Sequence, residues 1–140
     1  MTEQISKDEN CIFCKIIKGE IPAKKVYEDE KVLAFLDVNP VSRGHTLIIP
    51  KKHFENIFDI EEESLKEIIN ASKKISIFLK EKLNADGVNL LHASGKDAQQ
   101  SVFHFHLHVV PRYKGDNLDT WPKSNYKELN FDELIKEIAK

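Results

Sequence analysis

The stretch Val102-Phe103-His104-Phe105-His106-Leu107-His108-Val109-Val110 places three of the chain's six histidines at every second position. Successive side chains of a β-strand point to opposite faces. A strand here would put the three imidazoles on one face, and its other face would carry Phe103, Phe105, Leu107 and Val109. The β-branched and aromatic neighbours favour a strand, which Pro111 is expected to end. The stretch therefore predicts a strand with an apolar back and a histidine front.

Three alternating histidines are a poor choice for a face that is merely exposed to solvent, so we consider chemistry for them. At about 3.3 Å per residue, His104 and His108 would lie about 13 Å apart. A Zn–N bond is about 2 Å long, so one ion cannot easily bind all three rings of a straight strand. Two rings could share an ion, or each ring could have its own role. The rest of the chain favours separate roles.

The composition fits one soluble globular domain. The chain has 140 residues, 41% of them hydrophobic and 31% charged. The net charge of −2 gives no electrostatic reason to expect nucleic-acid or membrane binding. No apolar run is long enough to cross a bilayer, no signal peptide is evident, and two cysteines do not make a secreted disulfide framework. We expect a cytoplasmic protein with a loose segment 1–10 and a single domain 11–140, divided into a core 11–113 and a C-terminal segment 114–140.

One long helix dominates the predicted secondary structure. Asp59 and Glu62 fit a capping box at its start. Its apolar residues recur at steps of three and four and form one face: Leu65, Ile68, Ile69, Ile75, Phe78, Leu79 and Leu83. The helix is interpreted as a core-packing element without chemistry of its own.

Shorter elements surround the long helix. A helix from Cys11 is expected to end at Gly19, and a final helix is expected from Asn130, with Glu133 completing a second capping box and four residues facing inward: Phe131, Leu134, Ile135 and Ile138. Strands are predicted at 26–28, 32–36, 45–50 and 87–92, and an irregular connection at 115–127. Because strands and helices do not alternate regularly, the order predicts an α+β fold with an antiparallel sheet.

The spacing Cys11-x-x-Cys14 allows three interpretations. A redox pair would require a preceding strand in a βαβ unit, which the sequence lacks. The two thiols could simply be buried. They could also form half of a zinc site, in which two histidines would close a structural Cys2His2 centre. The candidates are His45, His53, His92 and the three alternating histidines, and the spacing alone does not choose the pair.

Several segments resemble the histidine triad (HIT) superfamily, in particular its Hint-like bacterial and archaeal branch. Besides the opening stretch, the similar segments are Cys11-Ile12-Phe13-Cys14-Lys15-Ile16, Leu33-Ala34-Phe35-Leu36-Asp37, Gly44-His45-Thr46-Leu47-Ile48-Ile49-Pro50-Lys51 and Gln100-Ser101-Val102. The resemblance runs from about Cys11 to Tyr113 in the order of the family. It implies the HIT fold and a homodimer in which the sheet continues from one protomer to the other.

The resemblance also implies a reaction at the α-phosphate of a purine nucleotide, which could be a phosphoramidate, a dinucleoside polyphosphate or an acyl-adenylate. His106 would attack the phosphorus, and water would cleave the nucleotidyl-histidine to a nucleoside monophosphate. His108, supported by His45, would donate hydrogen bonds to the phosphate oxygens, and Ser101 would lie near the leaving group. The implied nucleotide-binding residues are Asp37, Phe35, Val38 and Gln100.

For the metal, the resemblance implies a structural Zn²⁺ held by Cys11, Cys14, His53 and His104. His104 would then brace the segment that carries His106. The sequence departs from the usual pattern at Ala93, where Asn is usual, and at Gln99, where Gly is usual. Because of the departure at Ala93, the sequence does not predict which leaving group is preferred. His92 is interpreted as an ordinary strand residue. A non-catalytic nucleotide-binding or scaffolding module is the alternative function.

Overall fold

The computed structural model describes residues 9–124 and 130–139. Five strands form one antiparallel sheet in the order β1-β2-β3-β5-β4, with bounds β1 Lys25–Glu28, β2 Val32–Leu36, β3 Thr46–Pro50, β4 Gly87–Leu91 and β5 Leu107–Arg112. The helices are α1 Ile12–Ile17, α2 Glu62–Leu83 and α3 Phe131–Ile138, with a 3-10 turn at Lys96–Ala98. The predicted α+β class with an antiparallel sheet is confirmed. Residues 1–8 and 125–127 of the predicted irregular segments lie outside the described residues.

The sheet separates two apolar clusters. One lies between the sheet and α2 and includes Ile68, Ile75 and Leu79 of the helix. The other lies on the opposite face, where α1 packs through Phe13 and Ile16. No helix among the described residues is long and apolar enough to span a membrane.

The alternation of the histidine stretch places its residues on these two faces. Phe105, Leu107 and Val109 belong to the cluster under α2. On the other face, the rings of His104 and His106 meet Phe13 edge-on, at centroid distances of 5.9 and 5.2 Å. The predicted division of this segment between an apolar side and an imidazole side is therefore correct from position 104 onward.

The prediction of one continuous strand is wrong. β5 begins at Leu107, so His108 is the triad member inside it, and Pro111 lies within β5 instead of ending it. The strand begins late because Phe105 donates its N–H to the Phe54 carbonyl at 2.7 Å and not to a neighbouring strand. Phe103 is 46% exposed, which contradicts its expected place on the apolar back.

The long helix begins at Glu62 without the predicted capping box. Its N-cap is Glu61, which makes no side-chain cap hydrogen bond. The Asp59 carboxylate instead accepts from the N–H groups of Glu55 and Asn56 and closes the preceding turn. Ile69 and Phe78, predicted for the apolar face, are about half exposed.

The C-terminal helix α3 has the predicted cap but not the predicted orientation. The Asn130 side chain accepts from the N–H of Glu133 at 3.1 Å. None of the residues of α3 is buried. The inward packing predicted for its four apolar residues is therefore wrong: they are 71%, 38%, 56% and 69% exposed at Phe131, Leu134, Ile135 and Ile138.

Candidate active site and metal centre

His106 lies in the irregular segment just before β5 and is 3% exposed. Its Nδ1 lies 2.8 Å from the carbonyl oxygen of His104. A carbonyl can only accept, so Nδ1 donates and carries the proton of the neutral ring. The lone pair is therefore on Nε2, which makes no hydrogen bond to the part of the chain that the structure describes. This arrangement leaves one ring nitrogen available for nucleophilic attack.

A chain of hydrogen bonds fixes the proton of the neighbouring His108. The N–H of Val41 donates to Nδ1 of His45 at 3.1 Å, so the neutral His45 ring carries its proton on Nε2. This Nε2 lies 2.9 Å from Nδ1 of His108 and donates to it. Neutral His108 therefore carries its proton on Nε2. The ring centroids of His106 and His108 are 5.0 Å apart, so this donor lies beside the ring of His106.

Burial keeps these three imidazoles neutral. It lowers the pKa of His106, against a smaller opposing effect of the hydrogen bond to His104. Burial, with repulsion from His106 and His45, lowers the pKa of His108 to about 4. Burial also lowers the pKa of His45, although the Asp37 carboxylate opposes the shift. At neutral pH the site therefore offers an imidazole lone pair on His106 and an N–H donor on His108.

The predicted nucleotide-binding residues of the 35–38 segment lie next to this chain of imidazoles. A carboxylate oxygen of Asp37 is 3.5 Å from Nε2 of His45, and its other oxygen accepts from the N–H of Asn39 at 2.9 Å. Val38 is 89% exposed, so it can contact a ligand. Phe35 is buried and packs edge-on against Phe13 at 5.5 Å.

The two predicted residues of the 99–102 loop have different environments. Ser101 is exposed. The Gln100 side chain is buried, and backbone groups of this chain occupy both ends of its amide. It donates to the carbonyls of Glu55 and Val102 and accepts from the N–H of Gly95. Gln100 thus braces the loop that carries Ser101.

Four side chains with metal-binding atoms meet between α1 and the segment that precedes β5. They are Cys11, Cys14, His53 and His104, and their ligand atoms all lie within 4.8 Å of one another. The ring of His104 donates from Nε2 to the Pro50 carbonyl at 2.8 Å, which leaves its Nδ1 lone pair facing the thiols. The fold therefore selects His53 and His104 from the histidines that the sequence left open.

The spacing of these atoms fits a tetrahedral ion. Zn–N and Zn–S bonds of about 2.0 and 2.3 Å give N···N and N···S separations of about 3.3 and 3.5 Å. The observed separations are 3.1 Å between the Nδ1 atoms of His53 and His104 and 3.2–3.5 Å between thiol and imidazole. Burial raises the pKa of the Cys11 thiol to about 11, so metal uptake at this centre would release a proton.

A second group, Asp37, His45 and His108, also has three metal-binding side chains in reach of one another. Here the hydrogen bonds already account for the geometry. Because the Nδ1 of His45 accepts from the backbone, the contact between His45 and His108 is a donor–acceptor pair. We therefore interpret this group as a hydrogen-bonded chain that fixes the ring tautomers, and not as a second metal site.

His92 contacts the segment that carries His106, which its sequence context did not predict. β4 ends at Leu91, so His92 is not a strand residue as predicted. Its Nδ1 lies 2.9 Å from the carbonyl oxygen of His106, and its Nε2 lies 2.5 Å from the Ser94 hydroxyl. The available signal was a histidine two residues before a serine at the end of a strand, which is too common to select a functional residue.

Comparisons with known proteins show the family to which this fold belongs. A model of the HIT domain family matches residues 18–115. The chain is 47% identical over 136 residues to Protein hit of Bacillus subtilis, with 94% of each chain covered. A zinc-bound histidine triad family protein from Mycobacterium smegmatis has a TM-score of 0.77 and 43% identity, covering 83% of this chain and 84% of that one. A histidine triad nucleotide-binding protein from Candida albicans has a TM-score of 0.79 and 38% identity, covering 93% of each.

An antiparallel sheet with an imidazole triad at the start of its fifth strand defines a histidine triad protein. The chain belongs to the HIT domain family, on the strength of a match over most of its length. The family comprises nucleotide-binding proteins that are generally hydrolases or transferases. The predicted family and its bacterial and archaeal branch are confirmed.

Proposed function

We propose that this protein hydrolyses purine nucleotides at the α-phosphate, through a nucleotidyl-histidine on His106. The observation that carries the proposal is the hydrogen bond from Nδ1 of His106 to the His104 carbonyl. It fixes the ring tautomer whose Nε2 lone pair can attack phosphorus. The same reaction would serve a phosphoramidate, a dinucleoside polyphosphate or an acyl-adenylate.

In the first step, Nε2 of His106 forms a bond to the α-phosphorus while the bond from phosphorus to the leaving group breaks. For a phosphoramidate the leaving nitrogen keeps the electron pair of the broken bond, takes a proton from solvent and departs as an amine. Negative charge grows on the non-bridging oxygens, where the Nε2–H of His108 donates a hydrogen bond. The pair His45 and Val41 holds that donor in the required tautomer. Exposed Ser101 is the proposed contact to the leaving group.

In the second step, a water oxygen forms a bond to phosphorus and the P–Nε2 bond breaks. The products are a nucleoside monophosphate and the neutral ring of His106, whose Nδ1–H stays on the His104 carbonyl. The water proton passes to solvent or to the phosphate.

Asp37 is proposed to accept from the ribose hydroxyls. Val38 and Phe35 are proposed to form the base pocket, and Gln100 to shape the binding loop from behind.

We further propose that Cys11, Cys14, His53 and His104 hold one structural Zn²⁺. The proposal is supported by the tetrahedral spacing of their ligand atoms. When bound, zinc supplies a cross-link between α1 and the active-site segment. The steps of the reaction rely on the imidazoles described above and not on the zinc.

We also propose a homodimer in which the sheet continues across the β4 edge. β4 lies at the end of the sheet, and Leu90 on it is 45% exposed. Ile69 of α2 is 50% exposed. On the opposite flank of α2, the Lys74 ammonium lies 5.6 Å from the Tyr27 ring of β1. At 100° per residue, Ile69 and Lys74 are about 140° apart on the helix, so Ile69 leans toward the β4 edge.

The test of the enzymatic proposal is release of AMP from adenosine 5′-phosphoramidate. We expect turnover by the wild type and a loss of at least about a thousandfold in His106→Ala, because the nucleophile is removed. Phe103→Ala, a change of a half-exposed residue in the same loop, is the matched control and should retain activity.

Equal AMP release by the wild type and His106→Ala would contradict hydrolysis through this residue. If the wild type binds AMP in calorimetry but releases none from the phosphoramidate, the protein is a nucleotide-binding module. The test therefore separates the two functions.

A further inference from the structure

His92 occupies a position where the β4–β5 ladder is interrupted. Leu91 of β4 pairs with His108, so two positions further in the same register Ala93 would lie opposite His106. The strand ends before that position is reached. The carbonyl of His106 accepts instead from the His92 side chain, at 2.9 Å from Nδ1. An imidazole thus replaces a backbone N–H in the ladder.

The proton of His92 is fixed from both sides. Its Nδ1 faces a carbonyl, which can only accept, so Nδ1 must carry the proton. In the neutral ring Nε2 then accepts from the Ser94 hydroxyl, and the Ser94 oxygen in turn accepts from the N–H of Ile57 at 2.9 Å. The His92 ring also stacks on Phe105, with centroids 4.3 Å apart at 24°. His92 is therefore held in one orientation.

We propose that His92, oriented by Ser94, is a positioning residue for the nucleophile His106. Two hydrogen bonds then hold His106. The His104 carbonyl orients the His106 ring, and the His92 ring holds the His106 carbonyl. The proposal rests on the proposed function, in which Nε2 of His106 attacks phosphorus. Ala93 has no polar side chain. Its neighbours His92 and Ser94 supply the side-chain hydrogen bonds at this point of the loop.

The physical reason for an effect on rate is the burial of this peptide. Without His92, a buried carbonyl loses its donor and must find another by rotating the peptide plane. The rotation would shift the His106 ring from its hydrogen bond with His104. A displacement of about 1 Å at a reacting group costs on the order of 100-fold in rate.

The experiment compares two substitutions that separate the donor from the ring. His92→Phe keeps an aromatic ring over Phe105 and removes the donor. His92→Asn loses the ring but keeps an N–H at the Nδ1 position. For adenosine 5′-phosphoramidate we expect His92→Phe to lower kcat by about 10- to 100-fold with KM unchanged. We expect the kcat of His92→Asn to stay within about threefold of the wild-type value, because Asn keeps the N–H donor.

Two-bond ¹H–¹⁵N spectra of the histidine rings give a second measurement that requires no substrate. The wild type and His92→Asn should show His106 as a single Nδ1–H tautomer, and His92→Phe should show a mixture. A wild-type kcat in His92→Phe, or an unchanged His106 tautomer in that variant, would overturn the positioning role. If the wild type releases no AMP, hydrolysis fails as the function, and the ring spectra still decide the role of His92.

Discussion

At the scale of single residues, the three triad histidines differ because each has a different hydrogen-bond partner. His104 donates to Pro50 and turns its Nδ1 lone pair toward the thiols. His106 donates to His104 and keeps its Nε2 lone pair. His108 accepts from His45 and keeps its Nε2–H as a donor. One residue type thus provides a candidate metal ligand, a candidate nucleophile and a hydrogen-bond donor.

The partly buried, neutral state of His108 predicts a pH dependence of stability. Its pKa is about 4 in the folded protein because of burial, and near 6.5 when the chain unfolds. Between these values the unfolded state binds the extra proton, so the free energy of unfolding falls as the pH is lowered from about 6.5 to about 4. The stabilisation from neutral His108 is complete above this window.

We expect His108→Asn to flatten this dependence, because Asn can still accept from His45 but does not titrate. Urea unfolding at several pH values between 7.5 and 4 measures the proton uptake from the slope. The wild type should take up more protons on unfolding than His108→Asn, by up to one equivalent. Parallel slopes for the two proteins would contradict the neutral, partly buried state of His108.

At the scale of secondary-structure elements, α1 and its N-cap carry two of the four proposed zinc ligands. This helix has 6 residues, and Cys11 both caps it and lies against His104. A helix this short is not stable by itself in water. Its contacts with the sheet through Phe13 and Ile16, and the proposed zinc cross-link, therefore determine its position.

We expect the wild type to contain about one zinc per chain, since four ligands form one closed site, and Cys14→Ser or His53→Ala to contain little. Removal of zinc by EDTA should lower the melting temperature of the wild type but not of Cys14→Ser, with about 3 °C for each kcal/mol of stabilisation lost. Elemental analysis and thermal unfolding provide the measurements.

His45→Asn is the matched control for this prediction. It changes the second cluster of metal-binding side chains and leaves the four proposed ligands in place. Its zinc content should equal that of the wild type. A zinc content that is unchanged in Cys14→Ser, or lost in His45→Asn, would show that the ion is not held where we propose.

At the scale of the whole molecule, the proposed dimer predicts a difference between two flanks of α2. Glu in place of Ile69 puts a charge into the proposed interface and should shift the protein from twice the chain mass of 16.2 kDa to the single chain. Phe78→Glu is the matched control, because Phe78 is 49% exposed against 50% for Ile69 and lies on the other flank. Sedimentation velocity measures the mass. Dissociation by both substitutions, or by neither, would contradict the β4-edge interface.

The sequence by itself determined the features that depend on local periodicity and on adjacent residues. These are the alternation of Phe105, His106, Leu107 and His108 between two faces, the burial of Ile68, Ile75 and Leu79 on one side of α2, and the cap of α3 at Asn130. Each follows from the geometry of a strand or a helix within a few residues. The antiparallel arrangement followed from the order of these elements.

The tertiary structure decided everything that depends on a partner distant in sequence. Cys11 meets His104 across 93 positions, and His45 meets His108 across 63. The late start of β5, the ring tautomers and the contact of His92 with the His106 carbonyl also depend on such partners. No local pattern contains this information, because a hydrogen bond is specified by where two segments meet in space. The histidine stretch therefore predicted a site made of imidazoles, and the packing around it determined the hydrogen-bond partner and the tautomer of each ring.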